Sequence, residues 1–184
     1  MKFVVYLNKM EISQAIQSGS CRSQLSQASG KSAPQVDKCR SNDDVHIEGI
    51  KAEMAVAKVF QLDHNPYAFG IDTGQDLWCD NKSIDVKATK YAGGKLIFRN
   101  VNVFKADIAV LAIVDGYTIE VVGGCTRDFF VENHVMEKLN SAYPPTATLD
   151  QEKLSSVEDI WKMLTIPRLN KRNFTQQYFG NHIQ

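Results

Sequence analysis

The sequence predicts an α/β domain with a mixed central sheet flanked by helices. Two observations predict it. A stretch with helical apolar spacing, Val45 to Leu62, is followed by a series of short strand-like runs between Gln75 and Val122, and helix-like segments come after these. One of the runs, Asp107 to Val114, is apolar almost throughout, as a strand buried on both faces must be. At 184 residues the chain suits one domain, 1–184, with a core at about 43–122 and decorations at 1–42 and 123–184.

Hydrophobic residues make up 43% and charged residues 23%, enough apolar surface for an ordinary core, so a wholly disordered or disulfide-dense chain is excluded. The 21 basic and 21 acidic residues cancel, so any contact with a polyanion must come from local clustering rather than a whole-molecule field.

The N-terminal run Met1 to Asn8 is too short for a signal segment or a membrane span, and its alternation suits an edge strand or a docked terminus. No other stretch is long enough to cross a bilayer. Cys21, Cys39, Cys79 and Cys125 are too far apart for a zinc site and read as reduced thiols of a cytoplasmic protein. Residues 9–44 are rich in Ser and Gln, with thin periodicity, and predict short helices or loops.

The strongest helix signal begins at Asp43-Asp44, either of which can cap. Ile50, Met54 and Ala57 share one stripe of it, and Glu53 lies on that stripe. A carboxylate on a core-facing stripe is costly without a partner.

Strand-like segments follow at Tyr67 to Ile71, Gln75 to Cys79, Lys82 to Ala88, Lys95 to Val103, Asp107 to Val114 and Tyr117 to Val122, with turn residues at Asp80-Asn81 and Asp115-Gly116. Phe130 to Leu139 reads as a short helix and 140–152 as a loop around Pro144-Pro145. Ser155 with Glu158 reads as a capping box opening a helix through Leu164, stopped by Pro167.

The chemistry concentrates in Asp76 and the Ile84-Asp85-Val86-Lys87-Ala88 run. Asp85 and Lys87, two apart on a strand, project to one face while Ile84, Val86 and Ala88 project to the other. A hairpin between the two strands brings Asp76 beside Asp85. Two converging carboxylates form a hard oxygen site suited to Mg²⁺, and a neighbouring lysine can orient a water or neutralise charge on a phosphate. Taken alone, Asp85 and Lys87 read more readily as a solvated strand face; Glu53 on a buried stripe is what pulls against that.

From Asn81 to Lys105 the basic residues Lys82, Lys87, Lys90, Lys95, Arg99 and Lys105 surround a single acid, Asp85. Lys90, Lys95 and Arg99 are therefore the candidate nucleic-acid contacts. Asp72 reads as a turn residue beside Thr73-Gly74. His64, in Asp63-His64-Asn65, lacks the rest of a His-centred nuclease motif and carries no chemistry in this reading.

Asp76, Asp85-Val86-Lys87 nine residues on and Glu53 in an upstream helix resemble the PD-(D/E)XK nuclease superfamily over roughly Asp43 to Val122. The sequence departs from the pattern where Gln75, not Pro, precedes Asp76. The resemblance implies a restriction-endonuclease-like fold and a Mg²⁺-dependent endonuclease acting on DNA, with Mn²⁺ as a substitute metal. It implies Asp76, Asp85 and Glu53 as metal ligands, Lys87 as the group assisting the attacking water, a possible homodimer for cutting two strands, and a bacterial or phage setting. The rival readings are a non-catalytic nucleic-acid-binding module of the same fold and a protein-interaction factor.

Overall fold

A five-stranded mixed sheet forms the centre of the molecule, in the order β1-β6-β5-β3-β2. The computed structural model describes residues 2–30, 40–67, 74–139, 141 and 144–165. In chain order the sheet strands are β1 (Phe3–Tyr6), β2 (Leu77–Cys79), β3 (Lys82–Thr89), β5 (Ile108–Asp115) and β6 (Thr118–Thr126). A second sheet, ordered β4-β8-β7, is built from β4 (Leu96–Phe98), β7 (Val135–Glu137) and β8 (Thr146–Leu149). The helices are α1 (Lys9–Ala28), α2 (Asn42–Val59), α3 (Arg127–Asn133) and α4, at residues 157–165. The central sheet is antiparallel except between β3 and β5, which run parallel.

β5 is the axis of the fold. Every residue from Ile108 to Val114 is buried, as its unbroken apolar run requires. Ile108, Val110, Ala112 and Val114 join Ile84, Val86 and Leu77 in a core shared with α2 and with Val157, Ile160 and Leu164 of α4. Ala109, Leu111 and Ile113 join a second core under the small sheet with Leu96, Phe98, Phe104 and Phe130. There the Phe98 and Phe104 rings stack at 4.4 Å, and Phe130 meets both edge-on at 5.0 and 5.5 Å.

α2 starts at Asn42, just before the Asp43-Asp44 signal. Ser41 is the cap, accepting from the Asp44 N–H, while the Asp44 carboxylate accepts from the Ser41 N–H. Residues 9–28 of the segment expected as short pieces form one 20-residue helix, α1, opened by a reciprocal cap between Asn8 and Glu11. The buried residues of α1 are Ile12, Ala15, Ser18, Gly19 and Ser23. Small and polar residues carry little hydrophobic signal, so a stripe that lets two helices approach closely reads as loop in a periodicity search.

Three further expectations are corrected. The helix expected over Phe130 to Leu139 is α3, ending at Asn133, and β7 follows it. The expected loop 140–152 contains β8, the middle strand of the small sheet. The last helix is capped by Ser156 with Asp159, one residue later than read, because Ser155 is tied to Gly124 by two backbone hydrogen bonds and cannot turn inward. Two strands are shorter than read: Gln75 and Asp76 precede β2, and after Phe98 the chain leaves β4 for a 3-10 turn at Val101–Val103. Tyr67 sits in a turn; 68–71 and the chain beyond 165, with Pro167, lie outside the described residues. Cys21, Cys79 and Cys125 form no disulfide, while Cys39 lies outside the described residues. Among the described residues no helix is long and apolar enough to cross a membrane.

Candidate active site

The β2–β3 hairpin turns at Asp80, whose φ is 55°, and pairs Leu77 with Ile84, Trp78 with Ser83 and Cys79 with Lys82. Leu77 and Cys79 enter the α2-side core, as do Ile84 and Val86. Strand alternation therefore puts Asp85 and Lys87 on the opposite face, the side of the small sheet. Contacts agree: Lys87 Nζ lies 4.9 Å from the centroid of the Phe98 ring of β4.

Asp76 sits just before β2. Its N–H donates to the Ile84 carbonyl at 2.8 Å, and its Oδ2 accepts from the Val86 N–H at 2.7 Å. The side chain thus takes the acceptor position that the next residue of a longer strand would fill. This puts the carboxylate near the sheet plane beside β3, next to Asp85, and within reach of charges on both faces.

Asp85 is buried, and Lys87 Nζ stands 2.6 Å from its Oδ1. Gly74, with a φ of +71°, carries the chain over this pair; a Cβ there would lie 3.9 Å from Asp85 Oδ2 and 3.6 Å from the Val103 carbonyl oxygen. The positive φ is what reserves the position for glycine.

Environment separates the carboxylates. Burial, then the charges of Glu53 and Asp85, push the Asp76 carboxyl up to about 7, against the Val86 N–H and Lys87, which pull it down. Asp107, also near the start of β3, goes the other way. Its Oδ2 accepts from the Ser83 N–H at 2.7 Å and the Ser83 hydroxyl at 2.8 Å, and the backbone bond foremost holds its carboxyl below the usual range. Asp107 fastens β3 to β5; Asp76 is the acid under electrostatic load.

Glu53 does not stand open beside the other two acids. It is buried on α2, and both oxygens are held: Oε1 by Arg22 Nη1 at 2.8 Å, Oε2 by Arg22 Nη2 at 3.2 Å and by His64 Nε2 at 3.1 Å. It reaches the site through its field on Asp76. Among the described residues no three His, Cys, Asp or Glu groups are arranged to hold a metal ion. Mg²⁺ needs only one or two carboxylates and keeps its remaining waters. Asp76 and Asp85 fit that requirement in donor chemistry, with Asp76 loaded by the charges of Glu53 and Asp85; Glu53, as placed, does not supply a third ligand.

The expected nucleic-acid contacts are scattered in environment. Lys95 is engaged, at 2.6 Å from Glu137 and 3.0 Å from Asp150. Lys90 is exposed beside the Tyr91 ring, and Arg99 is exposed just after β4. The sequence reading missed Arg22 and set His64 aside. The available signal for Arg22 was its place one turn after Gly19, on the flank of the small-residue stripe of α1. No protein-family model, curated protein or solved structure matches this chain.

Proposed function

We propose that this chain is a Mg²⁺-dependent nuclease of restriction-endonuclease-like fold that hydrolyses DNA phosphodiester bonds, acting as an endonuclease. The observation that carries the reading is the meeting of Asp76, Asp85 and Lys87 at one end of the β2–β3 hairpin, with Asp76 loaded by two neighbouring negative charges. Such a cluster lowers its energy by taking up a divalent cation.

Asp76 and Asp85 would hold the metal, and Mn²⁺ would substitute for Mg²⁺. When bound, the ion polarises a phosphoryl oxygen and makes a water more acidic. Asp76 first gives up the proton that its surroundings favour. Lys87 is held between Asp85 and the face of Phe98, so its ammonium is fixed in direction. It orients the attacking water or neutralises charge building on the phosphate. Glu53 acts at one remove, by keeping Asp76 under load.

A second reading, a nucleic-acid-binding module that does not cut, is favoured by one observation: Glu53 is occupied by Arg22 and His64. Cleavage assays on plasmid and on single-stranded, duplex and branched oligonucleotides, with Mg²⁺, Mn²⁺ or chelator, separate the two. The nuclease reading expects cleavage that chelator stops. It further expects Asp85→Asn and Lys87→Ala each to lower the rate at least about 100-fold, with the circular dichroism spectrum unchanged. A wild-type protein that binds these substrates and leaves them all intact with either metal belongs to the second reading.

A further inference from the structure

The acid cluster has a resident cation that comes from outside the hairpin. The Arg22 guanidinium, on α1, grips Glu53 with two parallel bonds, at 2.8 and 3.2 Å. The Glu53 side chain retains only 7% of its exposure and Arg22 28%, so the pair is largely shielded from solvent. The contact is built into the helix packing. At Gly19, one turn before Arg22, a Cβ would stand 2.7 Å from the Ile47 Cα and N, so α1 touches the backbone of α2 there. The Ser18 hydroxyl donates to the Pro66 carbonyl, and the Tyr67 hydroxyl donates to Gln17 Oε1 at 3.1 Å, which tie the same helix to the segment following His64.

The charges of Glu53, Asp85 and Lys87 all bear on Asp76, and Glu53 is in turn paired with Arg22, as Asp85 is with Lys87. Removing the Arg22 charge leaves the enclosed Glu53 with His64 as its remaining partner, and its field on Asp76 less offset. Glu53 would still be aimed by His64 and by its enclosure, so the change falls on charge and not on direction.

We infer that Arg22 is the built-in counter-cation of the acid cluster: by offsetting part of the Glu53 charge it holds down the affinity of Asp76 and Asp85 for a divalent cation. The N-terminal helix is thereby part of the site and sets its metal affinity. The inference rests on the metal-site reading given above.

Mn²⁺ binding to the full chain, measured by titration calorimetry without nucleic acid, tests it. Arg22→Met is expected to bind Mn²⁺ about tenfold more tightly than wild type, and Arg22→Lys to stay close to wild type because the charge remains. Glu53→Gln is expected to bind about tenfold more weakly, since Arg22 is then uncompensated beside the site. The double variant Arg22→Met/Glu53→Gln, a neutral pair that folds without a buried lone charge, is expected to return near the wild-type value. Equal affinity in wild type and Arg22→Met overturns the inference, as does weaker binding in both Arg22→Met and Arg22→Lys, or no recovery in the double variant. Should Arg22→Met fail to fold, the comparison of Glu53→Gln with the double variant decides. A wild-type chain that takes up no Mn²⁺ removes the metal-site reading itself, and the inference with it.

Discussion

Replacing Asp76 by Asn should make the metal-free protein more stable at pH 8 and leave it little changed at pH 4. The Asn amide oxygen keeps the acceptor for the Val86 N–H, now at 2.7 Å from Asp76 Oδ2, so the hairpin retains its last bond. What the substitution removes is a charge. The Asp76 carboxyl stands at about 7 in the folded chain against an ordinary 3.8. The folded state therefore holds this proton more tightly than the unfolded state does. Its contribution to stability is whole below pH 4 and is lost as pH rises through about 7. A rise of roughly three pKa units corresponds to about 4 kcal/mol at 1.36 kcal/mol each, and sharing the load with Glu53 and Asp85 leaves about 2–4 kcal/mol for Asp76 alone. At about 2–4 °C per kcal/mol for a chain of this size, Asp76→Asn should raise Tm by about 5–15 °C at pH 8 in chelator. The assay is thermal unfolding of both proteins from pH 4 to pH 8.5 with EDTA, read as the difference in Tm between them, in which other titrating groups cancel. Parallel Tm curves across the window would refute the electrostatic account of the site. The same scan with millimolar Mg²⁺ should raise the wild-type Tm at pH 8 and leave Asp76→Asn unmoved, since a ligand stabilises only the state that binds it.

Other consequences follow from the packing. Gly74→Ala places a side chain where φ is +71° and its methyl 3.9 Å from Asp85 Oδ2. A loss of about 1 kcal/mol in chemical denaturation is expected, with weaker Mn²⁺ binding; unchanged values in both would mean the backbone there adapts freely. Gly19→Ala sets two effects against each other. Helix propensity favours alanine by about 1 kcal/mol, but a Cβ 2.7 Å from the backbone of Ile47 forces α1 away from α2, and overpacking costs about 1–3 kcal/mol. A net destabilisation in urea is expected, together with a loosened Arg22–Glu53 pair and tighter Mn²⁺ binding; net stabilisation would show that the helices separate without cost.

The sequence by itself determined the elements whose signal is local. The Asp107 to Val114 run could only be a strand buried on both faces, the Ile50-Met54-Ala57 stripe marked α2, and the two-residue period of β3 put Asp85 and Lys87 on a common face. Turn residues at Asp80-Asn81 closed the hairpin that brings Asp76 to them. These features depend on neighbours a few residues away, so they are written in the order of the chain. Tertiary structure alone decided the rest. β8 exists because β4, distant in sequence, and β7, the strand before it, offer it partners on both sides, and α1 reads as short helices or loops because its contact stripe is mostly Ala, Ser and Gly. Glu53 shows the limit most directly. Its place on a buried stripe announced that it needed a partner, but Arg22 lies 31 residues before it and His64 11 after, and only the docking of α1 on α2 names them. Periodicity tells which way a side chain faces; what it faces depends on how the layers close.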